Sequence, residues 1–142
     1  MIKKAINDRV SERKIVLWRE IVKRDMELMR KILFAIEDQY KPGDGFMLGL
    51  KIEDVDMNII AEHCDLLYQQ GLISDYQKIS ATSFKIGNLS ARGYDYLELI
   101  RDEKMWVKTN EEVDKKKLPK TIEFITKIAG IFTGNMIKEL NS

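Results

Sequence analysis

The residues of this chain that could do chemistry are a single histidine, a single cysteine and a few clustered carboxylates. His63 and Cys64 are adjacent, and neighbouring residues in a helix point about 100 degrees apart, so the pair does not share one ligand geometry. One of each is too few for a zinc site, and a lone cysteine cannot form an internal disulfide. We therefore interpret Cys64 as a core residue and His63 as a helix-packing or surface residue.

Two other short motifs have simpler structural explanations. Glu53, Asp54 and Asp56 offer oxygen ligands for magnesium, but the glycine and the spacing of a calcium loop are missing. Acidic residues at the start of a helix, where the backbone carries partial positive charge, explain them more simply. Gly43-Asp44-Gly45 is typical of a turn, since the Lys and Ser or Thr of a phosphate-binding loop do not follow. The sequence predicts no catalytic site, no metal site and no cofactor, so we expect a protein that is not an enzyme.

Composition places these residues in one soluble domain. The 142 residues are 44% apolar and 33% charged, which is enough apolar content for a core and too much for a disordered chain. No apolar run approaches the roughly 18 residues of a membrane span, and residues 1–4 do not resemble a signal peptide. We expect a protein of the bacterial cytoplasm that does not associate with a membrane.

The charges are distributed unevenly along the chain. The formal net charge is only +1, from 24 Lys and Arg against 23 Asp and Glu. Residues 1–30 carry +4, whereas residues 53–77 contain six acidic residues and no Lys or Arg. This cancellation indicates two surfaces of opposite sign.

Helical periodicity and punctuation predict the elements that must position these charges. Between Lys23 and Tyr40, apolar residues recur at steps of three and four, which predicts a helix that ends before Pro42. Residues 46–50 are predicted to form a short strand. A second helix is expected to begin near residues 53–56 and to end at Gly71, with a buried stripe formed by Ile59, Ile60, Cys64, Leu67 and Tyr68.

The second half of the chain is expected to hold a hairpin and two more helices. Residues 72–79 and 84–89 are predicted to pair around a polar turn. Ser90 is a good helix cap, and we expect one long helix from there through Met105. Residues 111–117 are predicted to be a charged connection, after which Pro119 and Thr121 precede a final amphipathic helix.

This order of elements predicts a mostly α fold with a small antiparallel β-hairpin. Helix, short strand, helix, hairpin and helix is the order of a winged helix-turn-helix core, with extra helices at both ends. The expected division is an N-terminal helical extension at residues 1–22, a winged-helix-like core at 23–110, and a charged connection with a C-terminal helix at 111–142.

Several segments resemble one protein family. The segment from Lys23 to Leu33, with Ala35-Ile36-Glu37, resembles the opening of a family of phage and prophage hypothetical proteins known as domain of unknown function 2513. Similar segments follow, and they are His63-Cys64-Asp65-Leu66-Leu67, Gly71-Leu72-Ile73, Leu89-Ser90, Gly93-Tyr94, Tyr96-Leu97, Ile100-Arg101-Asp102 and Trp106. The resemblance covers residues 23 to about 137 and leaves residues 1–22 outside. It implies a winged-helix-like fold and an origin in a phage or mobile element, and it implies no assigned chemistry.

The acidic second helix is the leading candidate for a binding surface. A winged helix would present this helix to its partner, and phosphate groups would be repelled by its negative charge. We therefore expect it to bind a basic surface on a host or phage protein, which includes acting as a modulator or inhibitor of a host factor or host defence system. The residues predicted to make this contact are Asp54, Asp56, Glu62 and Asp65. The alternative for a charge run is a solvated face that binds nothing.

DNA binding is the alternative function. Duplex DNA would then be contacted through the wing and the basic N-terminal region, because affinity for DNA depends on phosphate neutralisation. The candidate residues for this function are Asn58, Lys78, Lys85, Arg9 and Arg13.

The apolar face of the last helix is a candidate for assembly. It either folds back on the first helix or pairs with a second copy in a homodimer, and a purely structural oligomer is a third possibility for the protein as a whole. The candidate interface residues are Phe124, Ile128, Ile131 and Phe132. Trp18 and Trp106 are interpreted as packing anchors.

Overall fold

Residues 24–141, the part of the chain that the computed structural model describes, form five helices and a three-stranded sheet. The helices are α1 (Met26–Gln39), α2 (Met57–Gln69), α3 (Ala91–Ile100), α4 (Glu103–Lys115) and α5 (Ile122–Asn141). The strands are β1 (Met47–Leu48), β2 (Tyr76–Lys78) and β3 (Phe84–Ile86). The prediction of a mostly helical chain with a small antiparallel sheet is confirmed.

Helix α1 forms the centre of the core, as its periodicity predicts. Asp25 caps it by accepting a hydrogen bond from the Leu28 N–H at 3.1 Å. The helix ends at Tyr40, which adopts an extended conformation two residues before Pro42. The buried side chains of its inner face are Met26, Leu28, Met29, Ile32, Leu33 and Ile36.

The strand predicted at residues 46–50 is confirmed as β1, and it joins the predicted hairpin in a three-stranded sheet. Its order is β1-β3-β2, and both pairings are antiparallel. Phe84 and Ile86 of the central strand point into the core, whereas Lys85 points away from it, opposite Leu48 and Gln77. Between β1 and α2 the chain forms turns and no helix. Thus α2 is not preceded by the partner helix of a helix-turn-helix.

The junction between α2 and α3 depends on a close backbone approach. Gly71 follows α2 with φ +78, as its predicted left-handed cap requires. Ser90 caps α3 by accepting from the Gly93 N–H at 3.0 Å, and it also donates to the Gly71 carbonyl. A Cβ atom at Gly93 would lie 2.0 Å from the Leu72 carbonyl oxygen. This glycine lets the start of α3 pack directly on the backbone that follows α2.

The prediction of one long helix after Ser90 is wrong, because the helix is interrupted between α3 and α4. Asp102 is extended (φ −68, ψ 128) and caps α4 by accepting from the Met105 N–H at 2.9 Å. The predicted charged connection at residues 111–117 is also wrong in part, because α4 continues through Lys115. The boundary proposed after residue 110 therefore falls inside a helix.

Helix α5 begins after Pro119, as predicted, and Thr121 accepts a hydrogen bond from the Phe124 N–H at 3.2 Å. It packs mainly on α4 and α3, and not on α1 as the first of the two predicted alternatives had it. Ile125 and Ile128 are buried in this contact. Trp106 of α4 is buried, as predicted for a packing anchor, and its indole N–H donates to Glu27. Trp18 lies outside the described residues.

Candidate functional site

Helix α2 has two chemically different faces. Its inner face buries Ile60, Ala61, His63, Cys64 and Leu67. Its outer face carries Glu62, Asp65 and Tyr68 at successive steps of three, so these side chains follow one another along the helix. Glu62 is exposed, Asp65 is half-buried and Tyr68 is 41% exposed. Tyr68 was predicted in the buried stripe, and its exposure corrects that prediction.

Tyr76 of β2 extends this face onto the sheet. Its ring centroid lies 6.4 Å from that of Tyr68 and 5.7 Å from that of Phe84 in the core. Tyr76 therefore connects the outer face of α2 to a buried strand. We call Glu62, Asp65, Tyr68 and Tyr76 the acidic-aromatic face.

The charges of Asp65 and Glu62 act on the hydroxyl group of Tyr76. Burial raises the pKa of Tyr76 to about 12, and Cys64, Asp65 and Glu62 add to the shift through their charges. The phenol therefore keeps its proton at neutral pH and can donate a hydrogen bond. Negative charge and two aromatic rings are a combination suited to Lys and Arg side chains, which can also donate a hydrogen bond to the phenol oxygen.

The predicted acidic residues do not all lie on this face. Glu62 and Asp65 are brought together with the two tyrosines, whereas Asp54 and Asp56 precede the helix. Asp56 occupies the N-cap position without a side-chain hydrogen bond, and Asp54 has the left-handed φ of 62. Both side chains are exposed near the positive end of the α2 dipole. Tyr68 and Tyr76 were missed as site residues, and the acidic residues around them gave the only sequence signal.

The residues predicted to contact DNA are separated by the structure. Lys78 pairs with Phe84 and Lys85 with Gln77, so the two lysines point to opposite faces of the sheet. The Lys85 ammonium lies 4.0 Å from the centroid of the Phe46 ring. Asn58 is half-buried at the start of α2, and its side-chain oxygen accepts from the Ile59 N–H at 3.0 Å. Arg9 and Arg13 lie outside the described residues.

The His63-Cys64 pair belongs to the core. Cys64 is fully buried, as predicted, and burial raises the pKa of its thiol to about 12. The His63 Nε2 accepts from the Asp25 backbone N–H at 3.0 Å, and its Nδ1 lies 2.8 Å from the Ile59 carbonyl oxygen. The ring thus accepts at Nε2 and donates from Nδ1, and it joins α2 to the start of α1. Packing between helices, the first of the two predicted roles, is what the ring performs.

Comparison with known proteins places the chain in a family. The family model described as Hypothetical protein (DUF2513) matches residues 23–119. The chain belongs to this family. It is also 26% identical over 118 residues to an "Uncharacterized protein" of Haemophilus influenzae (strain ATCC 51907 / DSM 11121 / KW20 / Rd). That match covers 82% of this chain and 99% of the relative. No solved structure matches.

The DUF2513 match spans the elements that build the acidic-aromatic face. It begins just before α1 and ends in the loop between α4 and α5, so it contains α2 and the whole sheet. Residues 1–22 and helix α5 lie outside it. The resemblance noted in the sequence is thus confirmed for the segment that carries the candidate site.

The apolar residues predicted for assembly are divided between the core and the surface. Ile128 is buried, Phe124 and Phe132 are half-buried, and Ile131 is 57% exposed. The Phe132 ring lies 4.3 Å below the Lys108 ammonium. Ile131 therefore remains on the surface, whereas Ile128 is already covered by the same chain.

Residues 24–141 lack the features of two other classes of site. Within this range, no group of three His, Cys, Asp or Glu side chains is arranged to hold a metal ion. None of the helices in the same range has the length and hydropathy needed to cross a membrane.

Proposed function

We propose that this DUF2513 protein is a non-enzymatic binding protein of the cytoplasm, and that its acidic-aromatic face contacts a basic surface on a partner protein. The observation that carries the proposal is the position of Tyr68 and Tyr76. The two ring centroids are 6.4 Å apart, and Tyr68 follows Glu62 and Asp65 at helical spacing along the outer face of α2. Exposed aromatic residues are enriched at the centres of protein interfaces, and an inert charged surface has no need of them.

The partner proposed is a host or phage protein whose basic residues ordinarily face phosphate groups. The segment from Glu53 to Gln77 holds six carboxylates and no Lys or Arg, so it would attract a basic surface of the kind that binds phosphate groups. A protein of this kind would modulate or inhibit a host factor or defence system by occupying its basic surface. An origin in a phage or mobile element is part of this proposal and fits such a role.

The proposal is tested by reversing the charge of the face in the intact protein. Glu62→Lys with Asp65→Lys changes the net charge by four, and Asp38→Lys with Asp44→Lys is a matched control at exposed positions. We expect a partner retained from host lysate by the wild type and by the control to be lost by the first variant. Once purified, that partner should bind the wild type with an affinity that falls as salt rises. Retention of the same proteins by all three forms would contradict the proposal.

Tyr68→Ala separates the aromatic contribution from charge. A partly exposed interface tyrosine that packs on a partner contributes about 1–2 kcal/mol or more, a loss of about tenfold or more in affinity. If this variant bound the partner with unchanged affinity, binding would depend on charge alone, and the acidic-aromatic face would not be a specific site.

A second candidate function, DNA binding by a winged-helix-like core, is supported by the order β1-β3-β2 with a hairpin directly after α2. The distribution of charge opposes it, because Lys78 and Lys85 point to opposite faces of the sheet and α2 is acidic. Titration of random duplex DNA at several salt concentrations distinguishes the two functions. Steep salt-dependent binding would favour DNA, and absence of binding at low salt would eliminate it.

A further inference from the structure

Helix α5 extends past the helix that covers much of its first half. It has 20 residues and is about 30 Å long, whereas α4, with 13 residues, is about 20 Å long. The Lys108 ammonium lies over the Phe132 ring. Nearer the start of α4, Met105 lines one groove with Met136 of α5, so the two helices run antiparallel. Because α4 begins at Glu103, the last turn of α5 projects beyond it.

The apolar stripe that α5 buries in its first half continues to its end. Ile125 and Ala129 are buried on one side of the helix. At about 100° per residue, Met136 and Leu140 lie on the same side, with Ile137 at its margin. Met136 is 54% exposed, Ile137 53% and Leu140 83%. We call these three residues the α5 end stripe, which residues 24–141 of the same chain leave uncovered.

A groove of about 550 Å3 lies beside the α5 end stripe. It is formed by α3, the start of α4 and α5, and Leu99, Met105 and Met136 supply its apolar surface. Its charged lining residues within the described chain are all acidic, and they are Asp95, Glu98 and Asp102. We call this feature the α3–α5 groove. It suits an occupant that is apolar and carries a cation.

Two of these three carboxylates have no cationic partner among residues 24–141. Glu98 pairs with Arg101 at 2.7 Å. Asp102 accepts from the Met105 N–H, a neutral donor that does not cancel its charge. The Asp95 carboxylate makes no hydrogen bond or ion pair in the same range. A cation near Asp95 and Asp102 would therefore gain an interaction without breaking an existing ion pair.

The end of α5 itself has the matching chemistry. It presents Ile137 and Leu140 together with Lys138. A straight helix carries Leu140 about 6 Å past Met136 along its axis, so the end stripe leads away from the groove of its own chain. A second copy can receive it, and in a two-fold pair each copy supplies one helix end and one groove.

The charge of this segment favours a second copy over a membrane surface. Residues 131–141 contain one Lys and one Glu, so two copies do not repel each other through net charge. Helices that lie on anionic lipid instead carry several Lys or Arg on their polar face. A second copy is thus the occupant that both the charge and the direction of the helix favour.

The exposed surface is enough for a weak but specific dimer. The three side chains of the α5 end stripe expose roughly 100 Å2 each, and a reciprocal contact also covers the walls of both grooves. The pair would then bury roughly 1,000 Å2 in all, which is at the lower end of specific interfaces. A dissociation constant of about 10 µM is the scale expected for such a contact.

We propose that two copies of this protein form a two-fold dimer in which the end of each α5 packs into the α3–α5 groove of the other copy. Ile137 and Leu140 contact the apolar floor of that groove, and Lys138 lies toward Asp95. None of the residues of the acidic-aromatic face lines the groove, so the dimer displays two such faces, one on each copy. Two linked faces bind a partner with repeated basic surfaces more tightly than one face does.

Sedimentation equilibrium of the full-length protein, at about 1–200 µM, tests this proposal. We expect a monomer–dimer equilibrium, and Leu140→Asp should weaken it about tenfold or more, because a carboxylate replaces an apolar contact and enters an acidic groove. Ile131→Asp is the matched control, since Ile131 is 57% exposed on the opposite side of the same helix. This control should dimerise as the wild type does. Circular dichroism checks that every variant is folded.

Exchange of two charges tests the ionic part of the contact. Lys138→Glu and Asp95→Lys should each weaken the dimer about three- to fivefold, because each places like charges together. The double variant restores opposite charges across the interface and should recover most of this loss.

A wild type that stays monomeric at about 200 µM would overturn the proposal and leave the α5 end stripe to a different occupant. An equal loss of dimer in Leu140→Asp and Ile131→Asp would overturn it as well. Single charge variants without effect, or a double variant weaker than both, would overturn the placement of Lys138 beside Asp95. Assemblies larger than a dimer would overturn the two-fold arrangement.

Discussion

Arg30 offers the sharpest test of how this fold is held together, because it is a cation buried at the break between α3 and α4. Its Nε donates to the Ile100 carbonyl at 3.0 Å and its Nη2 to the Arg101 carbonyl at 2.8 Å. Its Nη1 donates to Glu103 at 3.0 Å. The guanidinium also lies 4.9 Å from the centroid of the Phe34 ring. Arg30 thus satisfies carbonyl groups that the end of α3 leaves free.

Replacing Arg30 with methionine keeps the apolar stem and removes the guanidinium. Two hydrogen bonds from a charged donor to backbone carbonyls are lost, at about 1.5–3 kcal/mol each. The recovered desolvation energy of the buried cation offsets part of this loss. We expect the free energy of unfolding to fall by about 3–5 kcal/mol, a large share of the 5–15 kcal/mol typical of a domain.

The measurement is urea denaturation of the full-length protein followed by circular dichroism. At a slope of about 2 kcal/mol per molar urea, the midpoint should fall by about 2 M. The urea midpoint of Arg30→Lys should lie between those of the wild type and Arg30→Met, because one ammonium group cannot reach three divergent acceptors.

Arg101→Met is the matched control, since Arg101 is one residue beyond α3 and also makes several ion pairs. Hydrogen bonds to Glu37 and Glu98 raise the pKa of Arg101. However, its side chain is 38% exposed, against 9% for Arg30, so water screens the pairs. We expect Arg101→Met to lower the free energy of unfolding by less than about 1 kcal/mol. If the two Arg→Met variants lost equal stability, the reasoning that burial and backbone acceptors decide the strength of these contacts would be refuted.

Three further predictions concern single positions. Gly93→Ala should lower the free energy of unfolding by about 3 kcal/mol or more, measured by thermal unfolding, because the new Cβ would lie 2.0 Å from the Leu72 oxygen. Gly130→Ala is the control and should cause no loss of stability, because nothing lies within 4 Å of a Cβ at that position. The Cys64 thiol should react with a thiol reagent only after unfolding, because burial raises its pKa to about 12; rapid labelling of the native protein would contradict its core position. The Arg101 guanidinium lowers the pKa of Glu37 below its ordinary 4.5, so the stability from this pair is present above that pH and is lost as the pH falls through the lower folded value. Glu37→Gln should therefore be less stable than the wild type at pH 7, by up to about 1 kcal/mol, with a difference that vanishes in acid.

The candidate site was predictable in its charges and not in its shape. Glu62 and Asp65 stand out because no Lys or Arg occurs between residues 53 and 77. Tyr76 gives no such signal, because its place beside Tyr68 depends on how β2 packs against α2. The separation of Lys78 from Lys85 follows from the strand register, and the predicted hairpin did not specify that register.

Local signals in the sequence determined the elements themselves. The ends of α1, the left-handed Gly71, the Ser90 cap and the start of α5 all follow from interactions between residues a few positions apart. Such interactions are present in any chain with these residues in this order. They are therefore visible without knowledge of the fold.

Tertiary structure alone decided the pairing of β1 with β3, the break between α3 and α4, and the surface that α2 presents. At the break, Asp102 lies within a stretch of helical periodicity, and Arg30, some 70 positions away, binds the carbonyls of Ile100 and Arg101, the two residues before it. Tyr68 stays on the surface because the sheet packs beside its helix and does not cover it. These features depend on contacts between residues far apart in the chain, which pattern and propensity do not encode.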